Sequence, residues 1–187
     1  SRAFGQLGDD VVNTRSTAVQ VASRVASVAV GTSHSLFVKS DGTLWATGAN
    51  ASGQLGDGTT TSRSTAVQVA TGVADVAGGG SHSLFVKTDG TLWAMGSNSL
   101  RQLGDGTTTN RNTPVQVASG VIRVAAGTSH SLFIKTDGTL WSMGLNSSGQ
   151  LGDGTTTNRI MPVQVATDVV RAAAGANHSL FVTTDGT

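Results

Sequence analysis

The sequence predicts an all-β fold, a β-propeller assembled from short four-stranded antiparallel blades. Three observations carry this. The first is a strict internal repeat: His34, His82, His130 and His178 recur at an interval of 48 residues, as do Trp45, Trp93 and Trp141, and Gln-Leu-Gly-Asp recurs from Gln6, Gln54, Gln102 and Gln150. Self-similarity at a fixed period of this size marks stacked or radial repeats. The second is a two-residue alternation of apolar and polar side chains, broken by Asp-Gly turns. The third is composition. All 11 acidic residues are Asp, only three Lys are present, and Gly, Ser and Thr abound, so long helix-forming side chains are scarce.

The elements of one repeat can be taken in order from Val73 to Gly120. Val73, Val76 and Ala77 open it as a strand and run into Gly78, Gly79 and Gly80. His82 to Lys87 alternates, with His82, Leu84 and Val86 on one face. Asp89-Gly90 is a strong hairpin signal. Thr91 to Met95 is the return strand. A polar loop from Ser97 to Asn112 follows, and Thr113 to Ala118 closes the unit, with Pro114 near the start of an edge strand. Four such strands make one blade. Blades converge on an axis where space is short. The small residues Ala29, Gly31, Ala77, Gly79, Ala125, Gly127, Ala173 and Gly175 fit that crowding. The Phe and Trp positions are expected to fill the space between sheets.

The units fall at about 1–24 (partial), 25–72, 73–120, 121–168 and 169–187 (partial). Ser1 aligns with Ala49 and Thr187 with Thr43, so Leu44 to Gly48 has no counterpart after Thr187. The last hairpin should therefore lack its return strand, and an unpaired edge invites pairing with another chain. Three arrangements are open: a portion of a longer propeller, copies assembled around a shared axis, or a compact four-bladed ring. The first is preferred.

The string Gly-Xaa-Xaa-His-Ser-Leu, then Asp-Gly-Thr-Leu-Trp-Ala-Xaa-Gly-Xaa-Asn-Xaa-Xaa-Gly-Gln-Leu-Gly-Asp-Gly, resembles the regulator of chromosome condensation (RCC1) repeat over essentially the whole chain. Trp is followed by Ala or Ser rather than Asp, which speaks against a WD40 repeat. A Gly pair opens only one unit, which speaks against kelch. The resemblance implies a seven-bladed propeller, with about four blades present here. It also implies action through binding: nucleotide exchange on a small GTPase, chromatin docking, or inhibition of a bacterial hydrolase. No inserted loop or basic tail of an exchange factor is visible. The near-identical repeats and Thr/Asn/Gly-rich loops are similar to bacterial members, for which an extracellular or cell-surface location is favoured over a cytoplasmic one.

Candidate chemistry is sparse. Four histidines in ring symmetry suggest a metal site, yet each occupies the same strand context. They are read, with Trp45, Trp93 and Trp141, as framework residues, the His ring nitrogens bonding backbone groups of a neighbouring strand. Asp57-Gly58, Asp105-Gly106 and Asp153-Gly154 lack the clustered oxygen ligands of a calcium loop and are read as Asx turns. Arg15, Arg63, Arg111 and Arg159 are expected to bond loop carbonyls or the Asp of their own loop. No catalytic constellation, metal or cofactor is expected, and the chain is read as non-enzymatic. A net charge of +1 without a basic run gives no footprint for nucleic acid. No apolar run reaches the length of a membrane span, and no signal peptide is visible.

The informative residues break the repeat. Phe4, Leu100, Arg101, Arg123, Leu145, Ile160, Met161 and Arg171 depart from the consensus, as does the run from Asp10 to Asn13. Most are expected in loops, where a rigid scaffold displays varied side chains, and their residue types suit a protein-binding patch. The function expected is a protein-interaction scaffold with an unidentified protein partner, also prone to self-association through open blade ends. The alternatives are a structural subunit of an extracellular assembly and a lectin-like module in which the Trp rings stack on sugars.

Overall fold

The computed structural model describes residues 4–11 and 14–187. Its strands form three four-stranded antiparallel sheets and one hairpin, and no helix occurs among the described residues. The first blade holds β1 (Val25–Val30), β2 (His34–Lys39), β3 (Leu44–Gly48) and β4 (Arg63–Ala70). The second holds β5 (Val73–Gly78), β6 (His82–Lys87), β7 (Leu92–Gly96) and β8 (Arg111–Ala118). The third holds β9 (Val121–Ala126), β10 (His130–Lys135), β11 (Leu140–Gly144) and β12 (Arg159–Ala166). The final hairpin pairs β13 (Val169–Ala174) with β14 (Ser179–Thr183).

Within each blade the strands meander outward in sequence order, so β1, β5, β9 and β13 are innermost and lie next to one another. The Asp-Gly turns close the β2–β3, β6–β7 and β10–β11 hairpins; at the second, Asp89 Oδ1 accepts from Thr91 N at 2.9 Å. The outer strand starts at Arg111, two residues earlier than the sequence reading, because Arg111 pairs with Gly96. The register between Gly96 and Ala94 is irregular, and Pro114 occupies that bulge on an edge strand, where its missing N–H leaves no ladder bond unmade.

The core is made between blades, not within them. Leu36, Val38, Leu44 and Ala46 of the first blade meet Val73, Val76, Phe85 and Met95 of the second. Leu84, Val86, Leu92 and Ala94 of the second blade meet Val121, Phe133 and Met143 of the third in the same way. Burial along the second strand of each blade follows from this. β2, with a neighbour on one face, alternates between buried and partly exposed. β6 and β10, sandwiched on both faces, are buried at every position but the last. β14 has no sheet beyond it and is largely exposed.

The loop carrying Gln-Leu-Gly-Asp latches each blade to the next. Leu55 is fully buried between the first two blades, and Leu103 is buried with the cluster between the second and third. The Ser83 hydroxyl donates to the Gln54 carbonyl at 2.7 Å, and Ser131 does the same to Gln102. The N-terminal Gln6 loop repeats the arrangement on the first blade, where Ser35 donates to the Gln6 carbonyl.

Candidate interaction surface

The framework histidines sit at the start of each second strand, buried beside the innermost turns. His34 Nε2 lies 2.9 Å from Ser83 Oγ, His82 Nε2 2.9 Å from Ser131 Oγ, and His130 Nε2 2.9 Å from Ser179 Oγ. Each Ser hydroxyl proton is already given to a Gln carbonyl, so the ring supplies the proton and Nε2 is the donor. The partner is therefore a side-chain hydroxyl of the next blade and not a backbone group as the sequence reading had it. A strand's own peptide groups are spent in its ladder, and only a side chain projects across the gap between sheets. Burial lowers these rings well below the usual imidazole range: His34 and His130 to about 4, and His82 to about 3, the two neighbouring rings adding to the burial effect on His82. They are neutral at pH 7. His178, directly before β14, is exposed.

Each ring packs on a glycine of the preceding turn. A Cβ at Gly79 would run into the His82 ring and come within 2.7 Å of the Gly127 carbonyl oxygen on the next blade. Gly31, Gly127 and Gly175 likewise leave no room for a Cβ beside His34, His130 and His178. Gly31, Gly79 and Gly127 thus allow two close approaches at once, ring and neighbouring backbone.

The tryptophans are less buried than expected. Phe85 and Phe133 are the rings in the core, each 1% exposed, while Trp45, Trp93 and Trp141 are half-buried farther along the sheet. Trp93 stacks beside Phe85 (centroids 6.3 Å apart), donates Nε1–H to Thr91 Oγ1, and carries the Lys87 ammonium 4.7 Å from its ring centre. Phe37–Trp45–Lys39 and Phe133–Trp141–Lys135 repeat this arrangement.

The long loops are self-contained. Asn50, fully buried, donates from Nδ2 to Asp57 Oδ1, Thr59 O and Thr61 O, and accepts from Leu55 N through Oδ1. Asp57 makes the Asx turn to Thr59 N at 3.0 Å and pairs with Arg63, whose Nη2 is 2.7 Å away. Arg111 pairs with Asp105, Arg159 with Asp153 and Arg15 with Asp9. Burial opposes ionisation of Asp57, Asp105 and Asp153. The Thr and Arg hydrogen bonds outweigh it and hold all three carboxyls low, Asp153 at about 2. Asn50, Asn98 and Asn146, the hubs of these loops, were given no role in the sequence reading. Their identical placement in each repeat was the available signal.

The repeat-breaking residues do not form one patch. Ile160 and Met161 lie in the outer strand β12, and Arg123 and Arg171 in the inner strands β9 and β13, rather than in loops. Phe4, Leu100, Arg101 and Leu145 do lie outside strands; for the other four the expectation of loops fails, because both edges of a blade also face open space. Arg101, Ile160 and Met161 come together where the second-blade loop crosses onto the third blade. Arg101 Nη1 donates to Asn158 O at 3.0 Å, Gly106 N donates to Ile160 O, and Met161 lies against Gly106. Ile160 is 36% and Met161 55% exposed, while Leu100 and Leu145 are half-buried. Phe4 is exposed on the N-terminal segment. Arg123 and Arg171 are on the innermost strands, at the opposite edge of the sheets, and line one groove. In the departing run, Asp10 takes a left-handed conformation (φ 60°) and donates its N–H to Ser64 O; Val12 and Asn13 lie outside the described residues, as does Ser1.

Comparison with known proteins agrees with this architecture. Human WBSCR16 is similar at 21% identity and a TM-score of 0.68, over 97% of this chain and 65% of that one. Yeast RCC1 (Prp20), in a crystal structure bound to Kap60, is similar at 22% identity and 0.75, over 87% of this chain and 42% of that one. Prp20p of Saccharomyces cerevisiae, in a structure presented with its binding properties to Gsp1p and histones, gives 22% and 0.73, over 84% and 43%. The chain thus spans 42% to 65% of the length of these three proteins. No curated protein matches it in sequence. The pattern of the regulator of chromosome condensation (RCC1) repeat matches residues 41–86, 89–134 and 137–182, and a second pattern of the same repeat matches 25–54, 73–102 and 121–150. With three matched repeats running through blades latched by His, Ser and Gln, the chain belongs to the RCC1 repeat family.

Proposed function

We propose that this chain is a non-catalytic scaffold that binds a protein partner through side chains that depart from its repeat. The observation that carries the reading is a division of labour. Positions kept identical between repeats are spent on latching and packing blades, whereas Arg101, Ile160 and Met161 stand on the surface where two blades meet. Structural neighbours give it context: yeast RCC1 (Prp20) was solved bound to Kap60, and Prp20p was presented with Gsp1p and histone binding. The test is capture of a partner by the immobilised chain, compared with a variant carrying Leu100→Ser, Arg101→Gly, Ile160→Asn and Met161→Thr. The variant should melt no lower than the parent and lose the partner. Equal capture by both overturns the reading.

The same chain should also self-associate. Val28 and Val30 on the first blade are 70% and 71% exposed, and Leu180 on the last hairpin is 67% exposed. The counterparts of Val28 and Leu180, Val76 and Leu84, are buried between blades at 7% and 0%. The surface that fits either face is therefore another blade of this repeat, and a second copy of the chain carries such blades. Light scattering should show association growing with concentration. Appending Leu-Trp-Ala-Met-Gly after Thr187 should add a strand beside β14 and raise the melting temperature. A strict monomer that gains nothing from the added strand contradicts this. Sugar stacking on the Trp rings finds less support, because each ring already carries a Lys ammonium over its face.

A further inference from the structure

Three junctions join a long loop to the outer strand of the next blade: the Gln6 loop to β4, the Gln54 loop to β8 and the Gln102 loop to β12. At the first two, a polar side chain at the second position of the outer strand bonds the preceding loop. Ser64 Oγ donates to Asp10 Oδ1 at 3.0 Å, and Asn112 Nδ2 donates to Gly58 O at 3.0 Å. At the third, that position is Ile160. The exposed Gly106, counterpart of Gly58, therefore has a carbonyl with no partner among the described residues. Arg101 departs at the same junction. Its counterparts Gly5, Gly53 and Gly149 all have positive φ, and Arg101 keeps φ 70° although it carries a side chain. A Cβ at Gly53 would come within 2.5 Å of Asn112 Cα, so the consensus junction has no room for one. Met161, exposed, stands where the other outer strands have Thr65 and Thr113.

A side chain in the left-handed region, a forfeited hydrogen bond and an exposed apolar side chain each cost stability. All three fall on one junction between two complete blades. Departures from local rules concentrated in this way mark a functional site. The junction also holds a surplus positive charge. Asp105 and Asp153 are spent on Arg111 and Arg159, whereas Arg101 donates only to Asn158 O, through Nη1. Its other guanidinium N–H groups are open to a carboxylate, whose geometry they match.

We propose that this junction holds an acidic segment of the partner protein, with a carboxylate on Arg101, an apolar side chain against Ile160 and Met161, and a backbone N–H on Gly106 O. This rests on the scaffold reading above and names the chemistry that its partner carries. The test titrates the full chain into a fluorescein-labelled peptide with Leu between two Glu, read by anisotropy. Controls are the peptide with Gln for Glu, the peptide with Gly for Leu, and a DNA duplex. The Glu-Leu peptide should bind and the controls should not. Arg101→Gly should weaken binding about tenfold, as expected for loss of one charge-assisted contact. Ile160→Asn combined with Met161→Thr should weaken it by about the same factor through lost apolar contact. Both variants restore the consensus junction and should melt no lower than the parent. The double variant Arg123→Gln, Arg171→Gln removes charge elsewhere and should bind as the parent does. No binding of the Glu-Leu peptide, equal binding of the duplex, or an equal loss in the Arg123 and Arg171 variant each overturns the proposal. If the peptide fails while partner capture persists and is lost in the fourfold variant, the chemistry named here is wrong and the scaffold reading stands.

Discussion

His82 and Ser131 face each other across the gap between the second and third blades, Nε2 to Oγ at 2.9 Å, and Ser131 passes its own proton to Gln102 O on the latching loop. Three segments far apart in sequence are tied by two hydrogen bonds, at a point from which water is excluded. An unsatisfied buried donor or acceptor costs about 1–3 kcal/mol.

His82→Ala should accordingly lower stability by about 1–3 kcal/mol in urea titration. Ser131→Ala removes the acceptor and also the donor to Gln102, so it should cost at least as much. The two changes together should cost less than their sum, because they remove one shared contact. Strict additivity would show that the bond adds nothing.

The neutral histidines set an acid limit. His34 and His130 titrate at about 4 and His82 at about 3 in the folded chain, lowered by burial, against 6.5 when unfolded. Between these values the unfolded chain binds more protons, so stability must fall as pH drops through this window. Each ring contributes a slope of about 1 kcal/mol per pH unit. The Asp57, Asp105 and Asp153 carboxyls are also lowered, so their stabilisation is present at neutral pH and lost only below about 4. Urea midpoints should already decline between pH 6.5 and about 5, above the range where the lowered carboxyls lose their stabilisation. A flat profile there would contradict the burial of these rings.

Asp168 and Arg101 take left-handed conformations, φ 59° and 70°, where other repeats use Gly120 (φ 69°) and Gly53 (φ 83°). A side chain in this region costs about 1 kcal/mol. Asp168→Gly should raise stability by about 0.5–1 kcal/mol. Arg101→Gly should gain less, because it also gives up the bond to Asn158 O. Thermal melts of the two variants check the order. A larger gain for Arg101→Gly would mean that this bond is worth nothing.

Phe85, not Trp93, is the ring the core depends on. Phe85→Ala should cost about 3–5 kcal/mol and Trp93→Ala about half of that, since the indole is only half-buried. Chemical denaturation of both variants decides this, and a greater loss for Trp93→Ala would reverse the assignment.

Period, strand order and hairpin turns were all legible in the sequence, because alternation and Asp-Gly dipeptides are local signals. So was the pairing of Arg63 with Asp57, which closes within one loop. What stayed hidden depends on distances between blades. The partner of His82 is 49 residues away, and no spacing rule within a single unit points to it. Trp93 looked like core because it alternates with buried Leu92 and Ala94. It stands, however, on the other face of that strand, beside Phe85, and how far the neighbouring blade covers that face follows only from blade geometry. Arg123 and Arg171 were readable as departures, but their convergence on one groove requires the inner strands to be adjacent.

Hydrogen exchange on the chain with and without its captured partner tests the central claim most directly. The account predicts slowed exchange over 98–106 and 158–163, where Arg101, Ile160 and Met161 meet, with the buried strands β6 and β10 unchanged. Protection confined to the hairpin tips at 40–43, 88–91 and 136–139, which every repeat shares, would contradict it.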